Sequence, residues 1–321
     1  MAYINTIDER ISIIDSLDLG MQGRTSCYVL QDEKVVLFEP SASPSIPHLL
    51  DGLAELYIPL EKIAFIIVTH IHLDHAGGAG LLLEKCQNAK LIVHPKGAKH
   101  MIDPSRLISG ARAVYKNEFD RLFHPIIPVP EHRLLIKKHG EKIKIGNNSY
   151  LTFFDSPGHA NHHFSIHDSV SNGIFTGDTV GIYYKDLLDQ GIEFYLPSTS
   201  PNQFNPEAML ASVKMIDELQ IDKIYFSHFG MSCHPKIVYS ELRKWLPKFV
   251  DTAQKVVEKG KDTSFEECSK AVETELKSLV FNELLEQNIV IVDSVYDMLK
   301  LDLSVSAMGL VDYLRKNPNK G

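Results

Sequence analysis

Residues 63–69 (IAFIIVT) form a nearly continuous apolar run, dense in β-branched side chains, that stops at His70. Such a run fits a strand buried on both faces, which needs further layers of structure on each side. The chain then spends residues 70–78 (HIHLDHAGG) on imidazoles, a carboxylate and glycines. A doubly buried strand that opens into a histidine-rich loop is the feature around which the rest of the chain is organised.

Strands are expected at 11–17, 25–30 and 35–39 before this run, and at 90–94 after it. Helical patterns cover 46–57 and 79–87, and the stretch 97–124 reads as helical with breaks at Pro104 and Gly110. Pro125, Pro128 and Pro130 then make an extended connector. The second half repeats the theme, with strands at 142–145, 151–155, 163–167, 173–177 and 223–227 and a helix at 206–219. Two groups of strands, each followed by helices, predict an α+β chain: a four-layer αββα sandwich with two facing sheets and helices outside. From 236 onward the chain reads as helical only, over 236–259, 263–280, 282–299 and 304–316. The expected organisation is therefore a domain over 1–235, with 97–124 inserted as a helical lid, and a C-terminal helical extension over 236–321.

The chemistry concentrates after strand ends. In an extended loop, side chains at i and i+2 leave on the same side, so His70 and His72 can grip one ion together. Asp74 and His75 follow a bend and can point to a second position. His159, Asp178 and His228 each follow a predicted strand, in SPGH, GDT and SHFG. Imidazole and carboxylate suit Zn, Fe and Mn. Seven ligands exceed what one ion needs, so two divalent ions are expected, zinc first and iron or manganese next.

The ordered pattern HxHxDH, His, Asp, His over roughly residues 10–235 resembles the metallo-β-lactamase-fold hydrolases, in the branch with glyoxalase II and the acyl-homoserine lactonases. The resemblance implies the αββα fold. It also implies that His70, His72 and His159 bind a first metal, that Asp74, His75 and His228 bind a second, and that Asp178 bridges them. Many relatives carry an Asp at the end of the third strand; here Glu39, before Pro40, stands in that place. The segment after His159 also departs from the commoner pattern, reading Ala160-Asn161-His162-His163.

A water shared by two divalent ions has its pKa lowered from 15.7 toward ~7, and the hydroxide attacks an electrophilic carbonyl or phosphorus. Asp74 and Asp178 are the expected catalytic carboxylates, Asp74 to orient the nucleophile and move its proton. Tyr184 is the expected phenol steadying the oxyanion. The lid supplies an apolar wall, which favours a small, partly apolar lactone or thioester substrate. Its Arg106, Arg112 and Lys116 keep a phosphodiesterase as the alternative. An iron-dependent dioxygenase of persulfide type and a non-catalytic ligand sensor also stay open. A β-lactamase proper is disfavoured, since those enzymes typically place a cysteine where this chain has Asp178.

The net charge of −8, from 33 basic and 41 acidic residues, makes nucleic acid a poor partner. No leader-like start and no apolar run of spanning length are seen, so a cytoplasmic protein without membrane contact is expected, with a homodimer left open. Cys27, Cys86, Cys233 and Cys268 form no CxxC pair and are expected to be reduced and mostly buried.

Overall fold

The computed structural model describes residues 3–260 and 262–318. They form two compact units. The first contains the described residues up to Asp155 with His162–Gly177 and Ile221–Cys233, and the second contains Ser156–Asn161, Asp178–Gln220 and the described residues from His234 onward.

The first unit holds both sheets. Strands β1 (Ile4–Thr6), β2 (Ile11–Asp15), β3 (Ser26–Leu30), β4 (Val35–Phe38), β5 (Ile63–Ile67), β6 (Lys90–Val93) and β7 (Leu134–Ile136) lie in sequence order. Pairing is antiparallel from β1 to β4 and parallel from β4 to β7. The second sheet contains β8 (Lys142–Gly146), β9 (Ser149–Asp155), β10 (Phe164–Asp168) and β11 (Gly173–Gly177). The short ribbon β12 (Ile182–Tyr183) with β13 (Tyr195–Leu196) belongs to the second unit. The second sheet is completed by β14 (Lys223–Phe226), parallel to β11, and β15 (Gly230–Ser232).

The sheets face each other across a core that includes Ile13, Tyr28, Phe38 and Ile67 from one and Phe153, Phe164, Phe175 and Tyr225 from the other. Phe38 and Phe175 stack with ring centroids 3.7 Å apart. The other face of the first sheet packs on helices α1 (Ile46–Glu55), α2 (Leu73–Ala76), α3 (Ala79–Lys85) and α4 (Pro95–Ile102), through Leu49, Leu53, Ala76, Leu82, Leu83 and Met101. The run at 63–69 is thus buried on both sides. Phe65 and Ile67 turn toward the second sheet, and Ile66 and Val68 turn toward the helices. Each fully buried isoleucine contributes about 1.5–3 kcal/mol, so the strand that carries the histidine loop is anchored from both faces.

After α4, the predicted lid resolves into α5 (Ser105–Tyr115) and α6 (Phe119–Phe123). The break expected at Pro104 separates α4 from α5, a further break falls at Lys116, which adopts φ +48°, and Gly110 stays inside α5. Phe119, Leu122 and Phe123 pack on Ala42 and on Leu73, the residue between His72 and Asp74. Part of the expected apolar wall therefore braces the histidine loop.

The second unit contains α7 (Pro206–Glu218), α8 (Pro235–Lys259), α9 (Phe265–Glu286) and α10 (Asp293–Lys316). Among its described residues the C-terminal part has three helices, α8, α9 and α10, where the sequence pattern suggests four. The turn sits at residues 287–292, with Asn288 at φ +57°. No glycine or proline interrupts 265–286, so that helix runs on past 280. Among the described residues no helix is long and apolar enough to cross a membrane.

Candidate metal centre

The carboxyl ends of β4, β5 and β14 deliver the donors of the first unit. His70 follows Thr69 past the end of β5, and α2 begins at Leu73, so the chain turns between His72 and Asp74. His70 Nε2 and His72 Nδ1 lie 3.0 Å apart. Two nitrogens on one tetrahedral zinc, each at 2.0–2.1 Å, would be about 3.3 Å apart, so this pair fits one ion. Asp74, His75 and His228 form a second group. Asp74 Oδ2 is 3.6 Å from His75 Nε2 and 3.8 Å from His228 Nε2. The i, i+2 spacing and the later bend thus divide the loop into two donor sets.

Glu39 supports both sets from beneath. It is buried with φ +58°, and its carboxylate accepts the Thr69 amide (2.5 Å), the Thr69 hydroxyl (3.1 Å), the Ser227 hydroxyl (3.0 Å) and the Nδ1 of His75. Glu39, His70 and His75 also lie close enough to resemble a metal site. The His75 atom facing Glu39 is the Nδ1 that donates to it, so the carboxylate acts as a brace for the ligands.

His163 is fully buried and stacks on His70 with centroids 5.0 Å apart. His162 lies 5.5 Å from the His72 ring. Gly177, the last residue before Asp178, has φ +53°; a Cβ there would come within 2.4 Å of both His163 Nε2 and Thr69 Oγ1. Only glycine fits that approach.

The second unit holds His159 and Asp178. Gly158, at φ +136°, presses against the start of α7, where a Cβ would lie 2.3 Å from the Met209 Cα. This fixes the chain just before His159. His159 Nδ1 donates to the Ser198 carbonyl (2.9 Å), which leaves Nε2 as the lone-pair atom, 3.5 Å from Asp178 Oδ2. The Ser198 hydroxyl donates to the same Asp178 oxygen at 3.0 Å. Tyr184 differs from its expected setting: it is buried and its hydroxyl donates to Asp302 on α10 at 2.9 Å. In that position the phenol ties the ribbon segment to a helix.

Several residues carried no sequence signal. Thr69 and Ser227 were visible only as neighbours of ligands. Asp18 is fully buried in the loop after β2, beside Arg24 (3.4 Å). Burial pushes its carboxyl up; Arg24 opposes this, Asp74 adds to it, and His228 and His75 oppose it. Its loop carries Leu17 and Leu19 at positive φ, and the Asp15 carboxylate holds it by accepting the amides of Leu17 and Gly23. A positive φ at leucine cannot be read from composition.

The four cysteines are unpaired, as expected, and Cys27, Cys86 and Cys268 are buried. Cys233, read as a buried thiol, is instead exposed just beyond β15. His94 is a satisfied core residue: its Nδ1 accepts the Lys96 amide and its Nε2 lies 3.3 Å from Asp155.

The sequence model of the Metallo-beta-lactamase superfamily matches residues 20–228. A metallo-beta-lactamase fold-containing protein of Sulfurisphaera tokodaii is 26% identical over 225 residues, 69% of this chain and 78% of that protein. A solved structure described as an archaeal metallo-beta-lactamase superfamily protein from Sulfolobus tokodaii aligns over 94% of this chain and 98% of its own, at TM-score 0.66 and 21% identity. A metallo-beta-lactamase family protein from Thermus thermophilus aligns over 92% and 90%, at TM-score 0.62 and 16% identity. The rubredoxin-oxygen oxidoreductase of Megalodesulfovibrio gigas is 27% identical over 154 residues, covering 48% of this chain and only 32% of that protein.

Proposed function

The chain belongs to the Metallo-beta-lactamase superfamily, and we propose that it is a dinuclear metal-dependent hydrolase acting on an ester-type carbonyl, a lactone or thioester, in a small and partly apolar molecule. The observation that carries this reading is the division of the strand-end loop into two donor sets, His70 with His72 and Asp74 with His75 and His228.

In this reading, as the family resemblance implies, His159 would add to the residues holding the first ion and Asp178 would help to hold both. Bound divalent ions, zinc first, supply Lewis acidity and a water made acidic near neutral pH. The chain's own groups do the rest. Asp74 is only partly buried, so its carboxylate can orient the incoming nucleophile and take its proton. Glu39 and Ser198 hold ligand rings and carboxylates in place, which limits reorganisation during the reaction. Leu107, Ile108 and Tyr115 are partly buried members of the cluster that braces Leu73, and they offer an apolar surface next to the histidine loop.

The same lid weakens the phosphodiesterase alternative. Arg112 is already paired with Asp120 at 2.6 Å and lies over the Phe119 ring at 4.3 Å. An imidazole-rich donor set likewise suits zinc at least as well as iron. The test is a panel of lactone, thioester, phosphodiester and β-lactam substrates with oxygen uptake followed in parallel. The reading expects the highest kcat/KM on a lactone or thioester. Faster phosphodiester turnover, or oxygen consumption by an iron-loaded protein without hydrolysis, would overturn it.

A further inference from the structure

Glu39, Thr69, His70, His75 and Ser227 make a buried hydrogen-bond system whose donor directions are forced. Glu39 accepts the Thr69 amide and the Thr69 and Ser227 hydroxyls. The Thr69 hydroxyl, 3.1 Å from Glu39 Oε2, therefore donates its single proton to that oxygen. The same hydroxyl lies 3.0 Å from His70 Nδ1. With its proton already committed, it can meet His70 only as an acceptor, so His70 must carry a proton on Nδ1. His75 Nδ1 faces Glu39 directly and must be protonated by the same reasoning. In a neutral ring this puts the lone pair on Nε2. For His70 that atom faces His72 Nδ1, and for His75 it faces Asp74.

We propose that Thr69 is a positioning residue that links the Glu39 side chain to His70, so that one buried residue sets the ligand tautomer in both donor sets. The inference rests on the dinuclear reading for its consequence in metal binding, but the tautomers belong to the protein itself. A side chain that orients a ligand ring in this way is worth about 10–100-fold in metal affinity. Glu39 braces His75 without an intermediary and reaches His70 only through Thr69. Loss of the Thr69 hydroxyl must therefore loosen the first set and spare the second. A side chain at Gly177 would meet Thr69, since a Cβ there would lie 2.4 Å from Oγ1 and 2.8 Å from the Thr69 Cβ, so the glycine leaves the room in which the hydroxyl sits.

The experiment compares the full chain with Thr69→Val, which keeps the shape and deletes the hydroxyl, and with Thr69→Ser, which restores it. Imidazole nitrogen-15 spectra of the metal-stripped full chain report the tautomers. The wild type and Thr69→Ser are expected to show His70 and His75 protonated on Nδ1, and Thr69→Val to lose this preference at His70 alone. A wild-type His70 protonated on Nε2, or an unchanged His70 in Thr69→Val, would overturn the relay. Zinc titration against a chromophoric chelator gives the second readout. One of two binding steps should weaken about 10–100-fold in Thr69→Val, with recovery in Thr69→Ser; weakening of both steps or of neither contradicts the proposal. A wild type that binds fewer than two zinc ions would overturn the dinuclear reading instead, and the nitrogen-15 result would still decide the relay. If Thr69→Val does not fold, Thr69→Ala is the second variant, with the same expectation for His70.

Discussion

Glu39 and Glu273 are both buried acids, yet their surroundings are opposite. Glu273, in the middle of α9, accepts ammonium groups from Lys270 and Lys277 and the Ser304 hydroxyl. Burial alone would raise its pKa; the bonds to Lys277 and Lys270 outweigh that and hold it below the ordinary carboxylate range. Glu39, past the end of β4, has donors from Thr69, Ser227 and an imidazole. A buried charge is tolerated when paired and hydrogen-bonded. In the helices the pairing charge is built into the chain. At the strand ends the partners described are hydroxyl, amide and imidazole groups, the kind of contact that orients a ligand ring. The first region holds itself together, and the second is shaped to hold something else.

The strongest way to break this contrast is at the ligands. Asp178→Ala should cost far more than the about 100-fold that outlying support positions reach, whereas His162→Ala should stay within about 10–100-fold. Steady-state rates on the best substrate of the panel decide it, and equal losses would mean that the ligand sphere is misassigned. Next comes Glu39→Gln, which keeps the size and removes the charge. Both zinc-binding steps should weaken by about 10–100-fold, since the carboxylate reaches His75 directly and His70 through Thr69. An unchanged chelator titration would reduce Glu39 to a structural acid like Glu273.

The helical side of the comparison has its own test. Lys277→Met should lower unfolding stability by about 1–3 kcal/mol at neutral pH. Because the folded pKa of Glu273 lies below its ordinary value of 4.5, the stabilisation is fully present above pH 4.5 and is lost as pH falls through the lowered value. Denaturant melts should therefore show the two proteins converging at acid pH. A difference that persists undiminished below that range would mean that packing of the lysine stem, and no ion pair, is responsible. The smallest change expected is in Tyr184→Phe, which loses about 1 kcal/mol of stability from the bond to Asp302 and keeps its turnover. A large fall in kcat with stability intact would restore the phenol to the chemistry.

The clustering of candidate donors was legible because metal chemistry demands particular side chains, and strand ends are where a sheet presents them. The apolar run before His70 and the short strands before His159, Asp178 and His228 gave both the layers and the places of the candidate donors. The support residues were not legible. A threonine before a histidine has no pattern of its own, and Thr69 gains meaning only once β5 ends beside Glu39. Tyr184 was placed by nearness in sequence to Asp178, and α10 takes its hydroxyl instead. Short strands such as β12, β13 and β15 have two or three residues each, too few to show alternation. The turn at 287–292 lacks glycine and proline, so the joint between α9 and α10 was misplaced by several residues.

Metal content measured on the full chain from a defined medium, beside its rate on the best lactone or thioester, tests the central claim most directly. Two divalent ions per chain at full activity, with both ions required for turnover, is the predicted result. Full turnover with one ion per chain, or hydrolysis that survives complete removal of metal, would contradict it.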